Sequence, residues 1–322
     1  MYINSGKVSN KGIELALGYK QKIGSIMSFS QSVKDELVKT EYESFCCKKS
    51  LLYGMSLFGK TFDYNSISLQ TENENIARLY SDLLLSLYNI KNEIKQSVGG
   101  RNYTVSVCDK QDCVKLLKVF DHIEKGSKKI NHSVFDCENC RNAFIAGAFL
   151  SCGTVSSPEK DYHLEFSVPY FNLSKSLLTL LDEIELKPKY VNRNGYNVVY
   201  FKGSESIEDC LYLMGASNAM FEMMNIKIVK DFRNKANRQA NCETANISRM
   251  VNAVSEQIVA IEKIWSKKGR EYLPENLELA AEIRYENPDL SLAELASLCN
   301  PPLSKSGLNH RLKRIVEISK EL

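Results

Sequence analysis

The chain has 322 residues, 43% of them apolar, which is room for two or three domains with ordinary buried cores. Its net charge of +3 excludes a globally basic nucleic-acid binder, so any such surface has to be local. No apolar run is long enough to span a bilayer and no signal peptide precedes the first charges, so neither membrane nor export is expected.

Residues 1–26 are polar and lysine-bearing, with a short apolar patch from Ile13 to Leu17, and read as an upstream extension to a protein starting at Met27. Phe29, Val33 and Leu37 then recur at helical spacing. Ten cysteines in an unsecreted chain predict reduced thiols in a cytoplasm. Cys137 and Cys140 have the spacing of half a zinc site. Their only partner pair, Cys46 and Cys47, lacks the two-residue spacer that chelation prefers, so buried thiols and no metal are expected.

An internal repeat dominates the first two thirds. Cys47-Lys48-Lys49-Ser50-Leu51-Leu52-Tyr53-Gly54 matches Cys140-Arg141-Asn142-Ala143-Phe144-Ile145-Ala146-Gly147 without a gap, and each run leads to a second glycine, Gly59 or Gly153. Downstream of the first come a strand (Ser66 to Thr71), a helix with Ile76, Leu79, Tyr80, Leu83, Leu87 and Ile90 apolar, and a hairpin around Gly99-Gly100. Downstream of the second come a strand (Tyr162 to Val168), a helix with Leu173, Leu177, Leu178, Leu181 and Ile184 apolar, and a hairpin at Asn194-Gly195. Short helices near Cys113 to Phe120 and Ile207 to Met214 close the halves. The order implies a pseudo-twofold α+β domain with antiparallel sheets over 27–225, its halves about 27–125 and 126–225.

From Asn225 the composition turns polar and basic, with Arg233, Lys235 and Arg238 placed to touch phosphate, and reads as a linker. A helix from Ile247 to Ile264 follows, so that 226–265 is basic linker plus helix. The domain at 266–322 opens with a helix from Leu273 to Tyr285 that stops at Asn287-Pro288. Ser291 with Glu294 forms a capping box, and Leu290 with Leu295 a hydrophobic staple. Pro301 and Pro302 end that helix, and Ser304 caps the next, with Leu303 and Leu308 as its staple. Leu308, Leu312 and Ile315 face inward; Ser306, Asn309, His310 and Lys313 form a polar stripe, flanked by Lys305, Arg311 and Arg314. No acid interrupts Ser304 to Val316. Glu275, Glu278, Glu282, Glu286, Asp289 and Glu294, which would repel phosphate, precede this helix and are expected to face away from DNA. The pattern is a helix-turn-helix whose second helix suits a major groove.

Ile145-Ala146-Gly147-Ala148-Phe149-Leu150-Ser151-Cys152-Gly153 resembles the LAGLIDADG helix of homing endonucleases. The resemblance implies two such helices packed at a pseudo-dyad, with an acid before each final glycine holding Mg²⁺ in the active enzymes. Here Cys152 takes that place in the second repeat, and Phe58 or Gly59 in the first; none offers carboxylate oxygens. The start Met27-Ser28-Phe29-Ser30, the run Asn234-Lys235-Ala236-Asn237-Arg238 with Asn241-Cys242-Glu243-Thr244-Ala245-Asn246, and Asn300-Pro301-Pro302-Leu303-Ser304-Lys305-Ser306-Gly307-Leu308-Asn309-His310-Arg311-Leu312 resemble three motifs of the bacterial WhiA family, in family order. That resemblance implies a degenerate LAGLIDADG domain joined to a C-terminal helix-turn-helix, and a regulator linked to cell division, chromosome segregation and sporulation.

The expected fold is therefore α+β: a pseudo-twofold LAGLIDADG-homing-endonuclease-like domain followed by an all-α helix-turn-helix domain. The expected function is non-enzymatic binding of double-stranded DNA in a cytoplasmic, nucleoid-associated protein, with no cofactor, metal or small-molecule substrate. Ser306, Asn309, His310 and Lys313 would read bases; Lys305, Arg311 and Arg314 would hold phosphates, with Arg233, Lys235 and Arg238 as secondary contacts. Two alternatives stand beside this reading. One is an interaction module whose first domain binds other regulatory proteins while the helix-turn-helix recruits it to DNA; the other is an active nuclease, against which the missing acid pair argues.

Overall fold

The computed structural model of the protein describes residues 28–122 and 128–322; the expected extension at 1–26 and its boundary at Met27 lie outside the described residues. The chain divides into two compact units, one ending at Ile228 and the other running from Val229 to Leu322.

In the first unit, helix α1 (Phe29–Val38) starts where Ser28 accepts the Gln31 N–H at 3.2 Å, and it buries Phe29, Val33 and Leu37 as their spacing predicts. The first half continues as α2 (Phe45–Leu57), β1 (Thr61–Phe62), β2 (Ile67–Thr71), α3 (Glu74–Tyr88), β3 (Asn92–Gln96), β4 (Tyr103–Val107) and α4 (Lys110–Val119). The second half repeats the order with α5 (Glu138–Cys152), β5 (Gly153–Val155), β6 (Leu164–Val168), α6 (Phe171–Glu183), β7 (Lys189–Arg193), β8 (Tyr196–Phe201) and α7 (Ser204–Met214). Each half forms a four-stranded antiparallel sheet, ordered β1-β2-β4-β3 and β5-β6-β8-β7, so the internal repeat of the sequence is a repeat of topology. Asn194 and Gly195 both take positive φ, 50° and 82°, as the tight turn between β7 and β8 requires.

Two apolar positions fall outside the expected helices. Ile90 is buried beyond the end of α3, because Asn89 turns left-handed (φ 52°) and closes the helix. Ile184 is the C-cap of α6, and Leu180 takes the buried place next to Leu181.

The centre of this unit is the seam between α2 and α5, where the repeat becomes a physical pairing. A Cβ on Gly54 would collide with the Phe144 carbonyl oxygen and lie 2.9 Å from the Ala148 N; a Cβ on Gly147 would collide with the Leu51 carbonyl oxygen and lie 3.0 Å from the Met55 N. The contacts are reciprocal in the gapless register, and the backbones touch because neither position carries a side chain. Ser151 Oγ donates to the Met55 carbonyl at 3.0 Å further along the same seam.

Helix α8 (Ser217–Lys268) corrects the linker expected after Asn225: the polar stretch is helical throughout. It contains no glycine and no proline between Gly215 and Gly269, and Lys, Arg, Gln and Ala are good helix formers, so polarity there reports exposure and not an irregular backbone. Its start is held by Glu36 of α1, whose carboxylate accepts the Asn218 and Ala219 N–H groups at 2.7 and 3.0 Å.

In the second unit, the last turns of α8 pack with α9 (Glu275–Glu286), α10 (Leu292–Leu298) and α11 (Lys305–Lys320). Ile261, Ile264, Leu277, Leu295, Leu308, Leu312 and Ile315 form its core. The one base among the acids of this region is structural: Arg284 is 1% exposed and donates to the Pro288 carbonyl at 3.4 Å and the Leu290 carbonyl at 3.0 Å, fixing the loop into α10. Removing it costs those charge-assisted bonds and leaves a cavity, so Arg284→Ala is expected to destabilise this unit by about 2–4 kcal/mol. The only tryptophan, Trp265, belongs to the same unit, and its fluorescence during urea unfolding of the full chain measures the change. A midpoint equal to wild type would show that the loop needs no such anchor.

Candidate nucleic-acid interface

Helices α10 and α11 form as their caps dictate. Ser291 accepts the Glu294 N–H at 3.4 Å while the Glu294 carboxylate accepts the Ser291 N–H at 2.8 Å, and the Ser291 side chain together with that N–H holds the carboxyl below its usual range. The Leu303 N–H donates to the Ala296 carbonyl at 2.9 Å across the proline turn, and Ser304 accepts the Gly307 N–H at 3.1 Å to open α11. Leu290 and Leu303, the outer halves of the two staples, pack partly buried against the core.

With Leu308, Leu312 and Ile315 buried, Ser306, His310 and Lys313 stand exposed on the other side of α11, and Asn309 is half-buried between them. Among the described residues the Asn309 amide bonds to no other side chain, so its edge is available. The flanking cations differ from one another. Lys305 is exposed at the helix start. Arg311 is half-buried and donates to the Asn276 carbonyl at 3.2 Å, which holds α11 against the start of α9. Arg314 pairs with Glu317, the first acid of the helix, at 2.9 Å. Lys305 is thus the cation of the three with no competing partner among the described residues.

The acids before α11 are partly occupied. Glu278 accepts from the Trp265 indole N–H at 3.3 Å, and burial pushes its carboxyl above the usual range; Glu282 lies 3.6 Å from Arg270. Arg233, Lys235 and Arg238 are exposed on α8, spread around a helix and not along a loose arm.

At the base of the α2–α5 seam, the offset that pairs Gly54 with Gly147 would, carried on without a gap, match Cys152 with Gly59. Gly59 has no ligand atom. Burial pushes the Cys152 thiol up to about 12, and the nearby Lys34 amine is held low by burial beside it. An open cleft of about 600 Å³ here is lined by Lys34 and Lys60 with a single acid, Glu72. A cation pair with one carboxylate is the reverse of what a hard divalent ion needs.

At the opposite end of the seam the spacer argument against a metal does not hold. The sulfurs of Cys46, Cys47, Cys137 and Cys140 all lie within 4.8 Å of one another. Adjacency in sequence is no obstacle, because Cys46 and Cys47 occupy the first turn of α2 and both approach Cys137.

A family model described as the WhiA C-terminal HTH domain matches residues 236–319, and one described as the WhiA LAGLIDADG-like domain matches residues 141–233. The "Probable cell division protein WhiA" of Clostridium botulinum (strain Hall) is 37% identical over 314 residues, covering 92% of this chain and 99% of that protein. Its namesake in Thermoanaerobacter pseudethanolicus is 38% identical, covering 92% of this chain and 98% of that protein. The crystal structure of full-length DUF199/WhiA from Thermatoga maritima matches with a TM-score of 0.56 and 25% identity, over 92% of this chain and 99% of that one. Both domain types, in this order and over nearly the whole length of these relatives, show that the chain belongs to the WhiA family.

Proposed function

We propose that the chain is a non-enzymatic regulator that binds double-stranded DNA through α11. The observation that carries this reading is the face of that helix: Ser306, Asn309, His310 and Lys313 point away from the core, and no acid precedes Glu317. Asn309 suits a bidentate bond to adenine, and Lys313 suits guanine acceptors; Ser306 and His310 flank them. Lys305, with Arg311 and Arg314, neutralises phosphate and fixes register, and Arg233, Lys235 and Arg238 are secondary phosphate contacts. The names of the relatives place them in cell division, and we assign this chain to the same process, with chromosome segregation and sporulation as its wider setting. The location that follows is the cytoplasm, on the nucleoid. No helix of the described residues is long and apolar enough to cross a membrane. Capture of genomic fragments by the full chain, followed by footprinting, tests the reading: discrete protected sites are expected, and uniform or absent protection would refute it.

The first unit has lost the chemistry of its fold. Purified protein is expected to leave supercoiled and linear duplexes intact in Mg²⁺ or Mn²⁺, since Gly59 and Cys152 cannot hold the ion. Metal-dependent nicking that co-purifies with the wild type and disappears in Cys152→Ala would overturn the non-enzymatic assignment.

A further inference from the structure

The N-terminal ends of α2 and α5 carry four cysteines for which DNA binding has no use. Cys46 and Cys47 stand in the first turn of α2, Cys137 is the N-cap of α5, and Cys140 lies in its first turn. The Cys137 sulfur is 3.6 Å from that of Cys46, 3.6 Å from that of Cys47 and 3.5 Å from that of Cys140. All four are free thiols, and these separations far exceed the S–S bond of about 2.05 Å. They approach instead the sulfur–sulfur edge of a zinc tetrathiolate, about 3.8 Å for Zn–S bonds of about 2.3 Å in tetrahedral array.

We propose that Cys46, Cys47, Cys137 and Cys140 form a structural Zn²⁺ site that ties the outer ends of α2 and α5 together.

The donor set selects the metal. Four sulfurs without a carboxylate or imidazole suit a soft, tetrahedral ion, and hard cations such as Mg²⁺ or Ca²⁺ have no oxygen ligand there. An iron–sulfur cluster holds its cysteines around a larger inorganic core, for which a sulfur spread of 4.8 Å leaves no room. Binding exchanges the thiol protons for one Zn²⁺, leaving a centre of formal charge −2. Its surroundings offset that charge. The positive ends of two helices converge on it. The buried Ser50 hydroxyl, one turn along α2 from Cys46 and Cys47, has no hydrogen-bond partner among the described residues and is left free to donate to a thiolate.

The repeat explains how the site is built. Cys47 and Cys140 are equivalent positions of the two halves, both buried, whereas Cys46 precedes its partner by one residue and Cys137 precedes its partner by three. Two quasi-symmetric thiols supply the inner ligands, and two unrelated ones close the tetrahedron. The ion would then bridge segments 91 residues apart, Cys46 to Cys137, at the end of the seam remote from Gly59 and Cys152.

The test uses the full chain expressed with zinc in the medium and purified without chelator. Elemental analysis is expected to find about one zinc per chain, falling to near zero in a Cys137→Ser, Cys140→Ser double variant and unchanged in Cys108→Ser, an exposed thiol outside the cluster. Should the double variant fail to fold, wild-type protein stripped of metal and reloaded with Co²⁺ decides the matter by the thiolate charge-transfer and d–d bands of a tetrahedral tetrathiolate. Removal of the metal is expected to lower the thermal midpoint of the wild type by several degrees. Zinc-free protein with four modifiable thiols at this site, disulfides among these cysteines, or iron with inorganic sulfide would each overturn the proposal.

Discussion

Replacing Asn309 by alanine is expected to weaken binding to the preferred duplex by about 1–3 kcal/mol while leaving binding to a scrambled duplex nearly unchanged. The side chain carries no charge, so its loss removes a base contact and not a counterion-releasing one, and the salt dependence should keep its slope. Lys305→Ala should do the opposite. Of the three flanking cations it is the exposed one without a partner among the described residues, so its removal should weaken both duplexes alike and flatten the log–log salt slope by about 0.9. Arg314 is different again, because Glu317 already neutralises part of its charge at 2.9 Å. Arg314→Ala should flatten the slope less than Lys305→Ala, and Glu317→Gln should steepen it. Fluorescence anisotropy over a salt series, on both duplexes, reads all four variants. Wild-type behaviour of Asn309→Ala and Lys305→Ala together would remove α11 as the reading element and direct attention to Arg233, Lys235 and Arg238.

Alanine at Gly54 or Gly147 is expected to cost the first unit about 3 kcal/mol or more, the upper end of what overpacking does. In an exposed helix the same change stabilises by about 0.5–1 kcal/mol, so the sign itself is diagnostic. The difference is the neighbour: each new methyl would meet a backbone carbonyl oxygen of the facing helix, Phe144 for Gly54 and Leu51 for Gly147, and a backbone cannot swing aside as a side chain can. Gly99→Ala, with nothing within 4 Å of its Cβ, is the neutral control. Urea unfolding followed by far-ultraviolet circular dichroism should show an early transition in the seam variants. Trp265 fluorescence should stay at its wild-type midpoint, since that residue reports on the second unit. Wild-type stability in both glycine variants would mean that the two helices do not touch at these positions.

Much of this protein is determined locally and is legible in its sequence. The caps at Ser28, Ser291 and Ser304 lie within three residues of the N–H groups they accept, and the turn at Asn194-Gly195 follows from two residues that tolerate positive φ. The order of elements in the two halves is likewise a repeat of local patterns. What local patterns misjudge is α8, where a polar composition suggests a linker although nothing in it breaks a helix.

Only the tertiary structure decides which side chains meet. The pairing of Gly54 with Gly147 depends on two helices packing with their starts together. Glu36 reaches Asn218 and Ala219 from another element, and the single base among acids, Arg284, is drawn into the core by carbonyls of a loop. The same packing gives Arg311 a bond to the Asn276 carbonyl in addition to the phosphate contact proposed for it. It also gathers Cys46, Cys47, Cys137 and Cys140, whose spacing along the chain argues against chelation while their positions at two converging helix ends favour it. Spacing rules describe ligands on one stretch of backbone; here the geometry is set by the packing of two.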